Sequence, residues 1–131
     1  MTSRAQRLRA YLADMWSRRF RPGAHDCGSF ALGWVAAETG QDHYARWRGA
    51  YRSMEQLDDV MQAAGFPDHI AYVQSVMAEI PPAMAQTGDL AVVQGKALGI
   101  VAQDRVFVLR PDGSGHVSRM EAVRAFKTWL S

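Results

Sequence analysis

The chain has 131 residues, 48% of them hydrophobic and 21% charged, with one cysteine and a formal net charge of +2. That length suits one domain, 1–131, able to bury its own core, and the composition excludes a disordered chain. A single cysteine excludes an internal disulfide framework. The four histidines, His25, His43, His69 and His116, lie too far apart for zinc-ligand spacing, so no metal or other cofactor is expected.

Residues 1–16 carry Leu8, Leu12, Met15 and Trp16 at three- and four-residue spacing, which predicts an amphipathic helix ending before Arg21-Pro22-Gly23. This segment lacks the continuous apolar stretch and small-residue cleavage site of a secretory signal. No run along the chain is long enough to span a bilayer, so a cytoplasmic protein without membrane contact is expected. Arg4, Arg7, Arg9, Arg18, Arg19 and Arg21 crowd the same segment. They suit either a solvated helix face or an acidic partner; for nucleic acid they are the sole support, and no recognised binding motif accompanies them.

A second helix is predicted from Cys27, with Asp26 as N-cap and Gly40 as stop, because Cys27, Phe30, Ala31, Trp34, Val35 and Glu38 keep helical spacing. After an aromatic and arginine-rich loop over 41–52, Ser53 and Gln56 form a capping-box pattern, followed by Leu57, Val60, Met61 and Ala64 with Gly65 as the stop. Residues 70–77 fit a short helix through Ile70, Val73 and Met77 or a strand through Tyr72, Val73 and Val76.

Beyond Pro81-Pro82 the pattern changes. Short apolar runs at 90–93, 97–102 and 106–109, separated by Gln94-Gly95-Lys96 and Gln103-Asp104, predict an antiparallel meander. A loop over 111–115, a helical piece over 120–123 and a closing strand to Leu130 complete the expected order, and the fold class is α+β, helices first and sheet second.

Cys27 is the obvious chemical handle, since the dipole and free amides at a helix start stabilise a thiolate. The alternative is a buried structural cysteine, in keeping with Phe30 and Trp34 on the same face. The blocks His25-Asp26-Cys27-Gly28-Ser29-Phe30, Gly88-Asp89-Leu90-Ala91-Val92-Val93 and Ala97-Leu98-Gly99-Ile100 follow one another as in NlpC-type papain-like cysteine peptidases, which the chain resembles from about Phe20 onward. It is more specifically similar to short phage and prophage tail-associated proteins related to that group. Phe20-Arg21-Pro22-Gly23, Asp26-Cys27, Trp47-Arg48-Gly49-Ala50-Tyr51 and Trp129 carry that resemblance.

The resemblance implies a papain-like fold in which Cys27 attacks an amide or ester carbonyl, a histidine on the facing sheet activates it, and a third polar group orients that histidine. Here the histidine position is held by Ala97, and the third position falls near Val108, Leu109 or Arg110. His25, two residues before Cys27, and His116, on the sheet half, are the remaining candidate bases; either is otherwise a loop or surface residue. His43 and His69 sit in polar stretches and are expected at the surface. Trp47, Arg48 and Tyr51 are the candidate partner surface, because aromatic and arginine side chains are enriched at interfaces; the other possibility is that Trp47 and Tyr51 pack the loop inward. Two functions are thus expected. One is a cysteine hydrolase of peptide or peptidoglycan bonds; the other is a catalytically inactive component of a phage tail, assembled in the host cytoplasm and carried in the virion, with phage tail proteins as partners.

Overall fold

The computed structural model describes residues 2–129. Four α-helices precede a six-stranded sheet. Helix α1, Arg4–Trp16, starts with a full capping box in which Ser3 and Gln6 satisfy one another's backbone amides. Helix α2, Cys27–Thr39, opens on Asp26 and Ser29 in the same reciprocal arrangement and stops at Gly40, whose φ of 78° is the left-handed conformation that glycine adopts freely. Both ends fall where the sequence predicts them. Helix α3, Met54–Ala63, takes its cap from Ser53; the Gln56 side chain accepts from the Arg52 amide rather than from Ser53, so the expected capping box is only half formed. Residues 69–76 resolve as a helix, α4, His69–Val76, because the Asp68 carboxylate accepts the Ala71 amide at 2.8 Å and supplies the N-cap.

The strands are β1 (Ala78–Ile80), β2 (Leu90–Val93), β3 (Ala97–Ala102), β4 (Arg105–Arg110), β5 (Gly113–Ser118) and β6 (Arg124–Lys127). Their order across the sheet is β1-β6-β2-β3-β4-β5, with every neighbouring pair antiparallel. The predicted meander is β2 to β4. The expected 111–115 loop is shorter than the sequence suggests: the turn is at Pro111 and Asp112, and Gly113 pairs with Arg110 as the start of β5. The helical piece expected over 120–123 is a 3-10 turn at Arg119–Glu121. The closing strand ends at Lys127, and Leu130 lies outside the described residues.

Alternation along the strands divides the apolar residues between two layers. Leu90, Val92, Leu98, Ile100 and Phe126 face the helices and meet Leu8, Phe30, Trp34, Leu57 and Ile70. Ala91, Val93, Val101, Val106, Val108 and Ala125 form a second, small-residue layer on the other face, with Ala85 packed into it. Trp34 ties the helix-side layer to residues 128 and 129. Its indole Nε1 donates to the Gly88 carbonyl at 2.8 Å, which also accepts from the Thr128 hydroxyl at 2.6 Å. The Trp129 ring meets Trp34 edge-on and lies against Gly88, where a Cβ would come within 2.3 Å of the indole, while the Arg4 guanidinium stacks 3.4 Å above the Trp129 ring.

Candidate active site at the start of the second helix

Cys27 stands at the first position of α2, where Asp26 turns the chain from an extended lead-in to the helix. The backbone amides of Leu98, Gly28 and Cys27 itself are directed at the sulfur and favour its ionised form. They are outweighed. Burial, with only 8% of the residue exposed, and the adjacent Asp26 carboxylate push the thiol up to about 11. The resting side chain is a neutral thiol, in contrast to the stabilised thiolate that a helix start alone would suggest.

Asp26 is completely buried and fully engaged. One carboxylate oxygen accepts the Ser29 amide at 3.0 Å; the other accepts the Gly23 amide at 2.9 Å and the Tyr51 hydroxyl at 2.5 Å. The Tyr51 hydroxyl is in turn 2.8 Å from that of Tyr44. Gly23 is required at this point, because its φ is +83° and a Cβ would fall 2.2 Å from the Tyr51 carbonyl oxygen.

Outside Cys27 lies an open groove of about 590 Å³, bounded by Phe20, Met54 and Leu57 on the helical side and by Gln94 to Ala97, Leu109 and Arg110 on the sheet side. Sharing Cys27 and Leu57 with it is a small, mainly apolar hollow of about 20 Å³ that Tyr44, Trp47 and Leu98 also line. Ala97 borders the groove, as the resemblance requires of the histidine position, and Leu109 and Arg110 border it where the third polar group is expected. Val108 does not: it packs in the small-residue layer on the other face.

The histidine that does line both spaces is His69. Its Nε2 lies 2.7 Å from the carbonyl oxygen of Lys96, the residue immediately before Ala97, and its Nδ1 is buried with no hydrogen-bond partner. An ion pair between the Asp68 carboxylate and the Lys96 ammonium, 3.0 Å apart, fixes the start of α4 to the same turn. The expectation that His69 is a surface residue is therefore corrected. Sequence reasoning misses it because a polar stretch around residue 69 carries no sign of packing against a turn 27 residues later.

The two predicted bases lie elsewhere. His25 is partly buried between the end of α1 and the start of α2; its ring bonds to the Met15 carbonyl, its Nε2 has no partner, and desolvation holds it below the usual histidine range. It borders neither space beside Cys27. His116 is exposed on β5, where its ring meets Phe107 edge-on and Arg105 lies 2.9 Å from Nδ1. It too is absent from the groove wall. His43 is partly buried, and its carbonyl accepts from the Tyr72 hydroxyl.

The expected partner surface also needs correction. Trp47 and Tyr51 are 3% and 2% exposed, so neither can meet a partner. Tyr44, Trp47 and Tyr51 recur at helical spacing in a turn-rich segment and point inward together, with Trp47 packed edge-on against Tyr72 and Phe66. Arg48 projects outward and pairs with Asp42 at 3.2 Å. The periodicity that carried these residues inward was visible in the sequence; the interface composition of the loop concealed it. Among the described residues no group of three or more His, Cys, Asp or Glu side chains could hold a metal, and no helix is long and apolar enough to cross a membrane.

These features define an α+β domain with a cysteine-bearing helix start facing the edge of a groove over an antiparallel sheet. The chain belongs to the DUF6950 family, a domain of unknown function, whose family model matches residues 1–128. No curated protein and no solved structure matches it.

Proposed function

We propose that this domain is an NlpC-like, papain-type hydrolase of phage or prophage tails that cleaves amide bonds of peptides or peptidoglycan with Cys27 as nucleophile. The observation that carries the proposal is the position of Cys27. It combines a helix start, three amides directed at the sulfur, and a groove large enough for a peptide segment immediately outside. In the reaction the sulfur attacks the carbonyl carbon, the amine leaves, and water cleaves the resulting thioester. The amides at the head of α2 are the natural donors to the developing oxyanion. The papain-like assignment and the tail association draw on the resemblance of the motif blocks, and the order of helices before an antiparallel sheet agrees with it.

A second reading is favoured by one specific observation: Ala97 stands where the resemblance puts the base. On that reading the fold is a rigid, catalytically inactive component of a tail. An activated acyl ester separates the two. Incubation of the native protein with a p-nitrophenyl ester, followed by mass spectrometry, is expected to place one acyl group on Cys27 and none on a Cys27→Ala variant. A native protein that stays unmodified, with labelling only after unfolding, would establish the structural role.

A further inference from the structure

The resting thiol is neutral, so the hydrolase reading requires a group that takes its proton during attack, and neither predicted histidine borders the groove. We propose that His69 is that general base, delivered from the start of α4 rather than from the sheet; the inference rests on the hydrolase reading.

The ring's own hydrogen bond sets its tautomer. A carbonyl oxygen can only accept, so the 2.7 Å contact between His69 Nε2 and the Lys96 carbonyl places a proton on Nε2. In the neutral ring this leaves a lone pair on Nδ1. That nitrogen is buried without a hydrogen-bond partner, in a ring that lines the same two spaces as Cys27. An orphaned buried acceptor is unusual in a folded protein and calls for a purpose. Here a thiol that needs a base and an imidazole with a free acceptor border one groove.

The surroundings hold the ring in place. The Lys96 carbonyl does for His69 what the third polar group does in a nucleophile–base–orienter arrangement: it fixes the tautomer and the ring orientation. The Asp68–Lys96 ion pair clamps the two backbones together. The turn that carries Lys96 is itself preset, with Gly95 and Lys96 both at positive φ, 80° and 60°. The ring thereby reaches the residue next to Ala97, so that the α4 histidine arrives beside the position left without one.

As the Cys27 sulfur bonds to the substrate carbonyl carbon, its proton passes to His69 Nδ1. The imidazolium returns that proton to the departing amine nitrogen as the C–N bond breaks. Water then attacks the thioester with His69 taking its proton, and the proton passes back to the sulfur as the C–S bond breaks. The charged groups around the ring are Asp68 and Lys96 of the ion pair, Asp58 on α3, and Arg110 and Asp112 across the groove.

Two measurements test the assignment. In the wild-type protein, ¹⁵N NMR of the imidazole rings is expected to show the neutral ring of His69 as the Nε2–H tautomer; a neutral ring with its proton on Nδ1 would leave no acceptor and overturn the proposal without any variant. In the second, acylation of Cys27 by a p-nitrophenyl ester is followed against pH in the wild type and in His69→Gln, after circular dichroism has shown that the variant is folded. The wild-type rate is expected to follow the protonation of one histidine, and the variant to lose that inflection together with about 10²-fold or more of the rate at neutral pH. An inflection that survives in His69→Gln would reject His69 while leaving the hydrolase reading intact. No acylation of wild-type Cys27 would reject both.

Discussion

Tyr51 and Asp26, 25 residues apart, meet through a 2.5 Å hydrogen bond that buries a carboxylate directly behind the only cysteine. The contact ties the aromatic 43–52 segment to the first turn of α2. It also explains why a charged group is tolerated at zero exposure: both carboxylate oxygens are occupied by donors.

Removing the Tyr51 hydroxyl tests that link. Tyr51→Phe leaves one Asp26 oxygen with the Gly23 amide alone and strips the Tyr44 hydroxyl of its partner. A hydrogen bond to a charged group contributes about 1.5–3 kcal/mol, so the urea midpoint of the variant is expected to fall by the corresponding amount at unchanged slope. A midpoint equal to that of the wild type would show that water replaces the phenol without cost.

The thiol offers a direct kinetic check. With Cys27 pushed up to about 11, the thiolate fraction at pH 8 is at least about 100-fold smaller than for an ordinary cysteine near 8.5. Iodoacetamide is therefore expected to label the native protein at least about 100-fold more slowly than the urea-unfolded chain, with a rate still rising at pH 9.5 or so. This outcome is compatible with a base that acts during attack. Rapid native labelling near neutral pH would instead demonstrate a preformed thiolate.

His25 makes stability depend on pH. Burial favours its neutral ring, so the native state binds a proton less readily than the unfolded chain, whose histidine titrates near 6.5. Between these two values the unfolded state holds more protons, and stability falls as the pH drops. The contribution is complete above about 6.5 and is lost on acidification until the native ring also protonates. Urea midpoints measured between about pH 7.5 and pH 5 are expected to decline in the wild type and to decline less in His25→Gln. Parallel slopes would assign the acid sensitivity to other groups.

Local chemistry made much of the fold legible. Asp26 and Gly40 announce both ends of α2, and the β-branched runs announce β2 to β4. Residues 70–77 were ambiguous because Ile70, Val73 and Met77 satisfy a helical period while Tyr72, Val73 and Val76 also suit a strand; the Asp68 cap, outside the window, decides it. Strand β5 was hidden by Gly113-Ser114-Gly115, a turn-like composition that an edge strand tolerates. Cys27 could be found from its helix start. His69 could not, because what places it beside Cys27 is the docking of α4 on the β2–β3 turn, a tertiary relationship with no local signature.

The sheet order has a consequence for how the chain acquires its structure. Strand β6 lies between β1 and β2, so the last of the described strands to be synthesised must enter the sheet's interior. Until it does, two strands separated by only a short connection face an unfilled gap, and Trp34 and Gly88 lack the Thr128 hydroxyl that completes their cluster. Folding on the ribosome must therefore wait for residues 124–128 to emerge, and the nascent intermediate, with unpaired strand edges on both sides of the gap, is the species most exposed to misassembly.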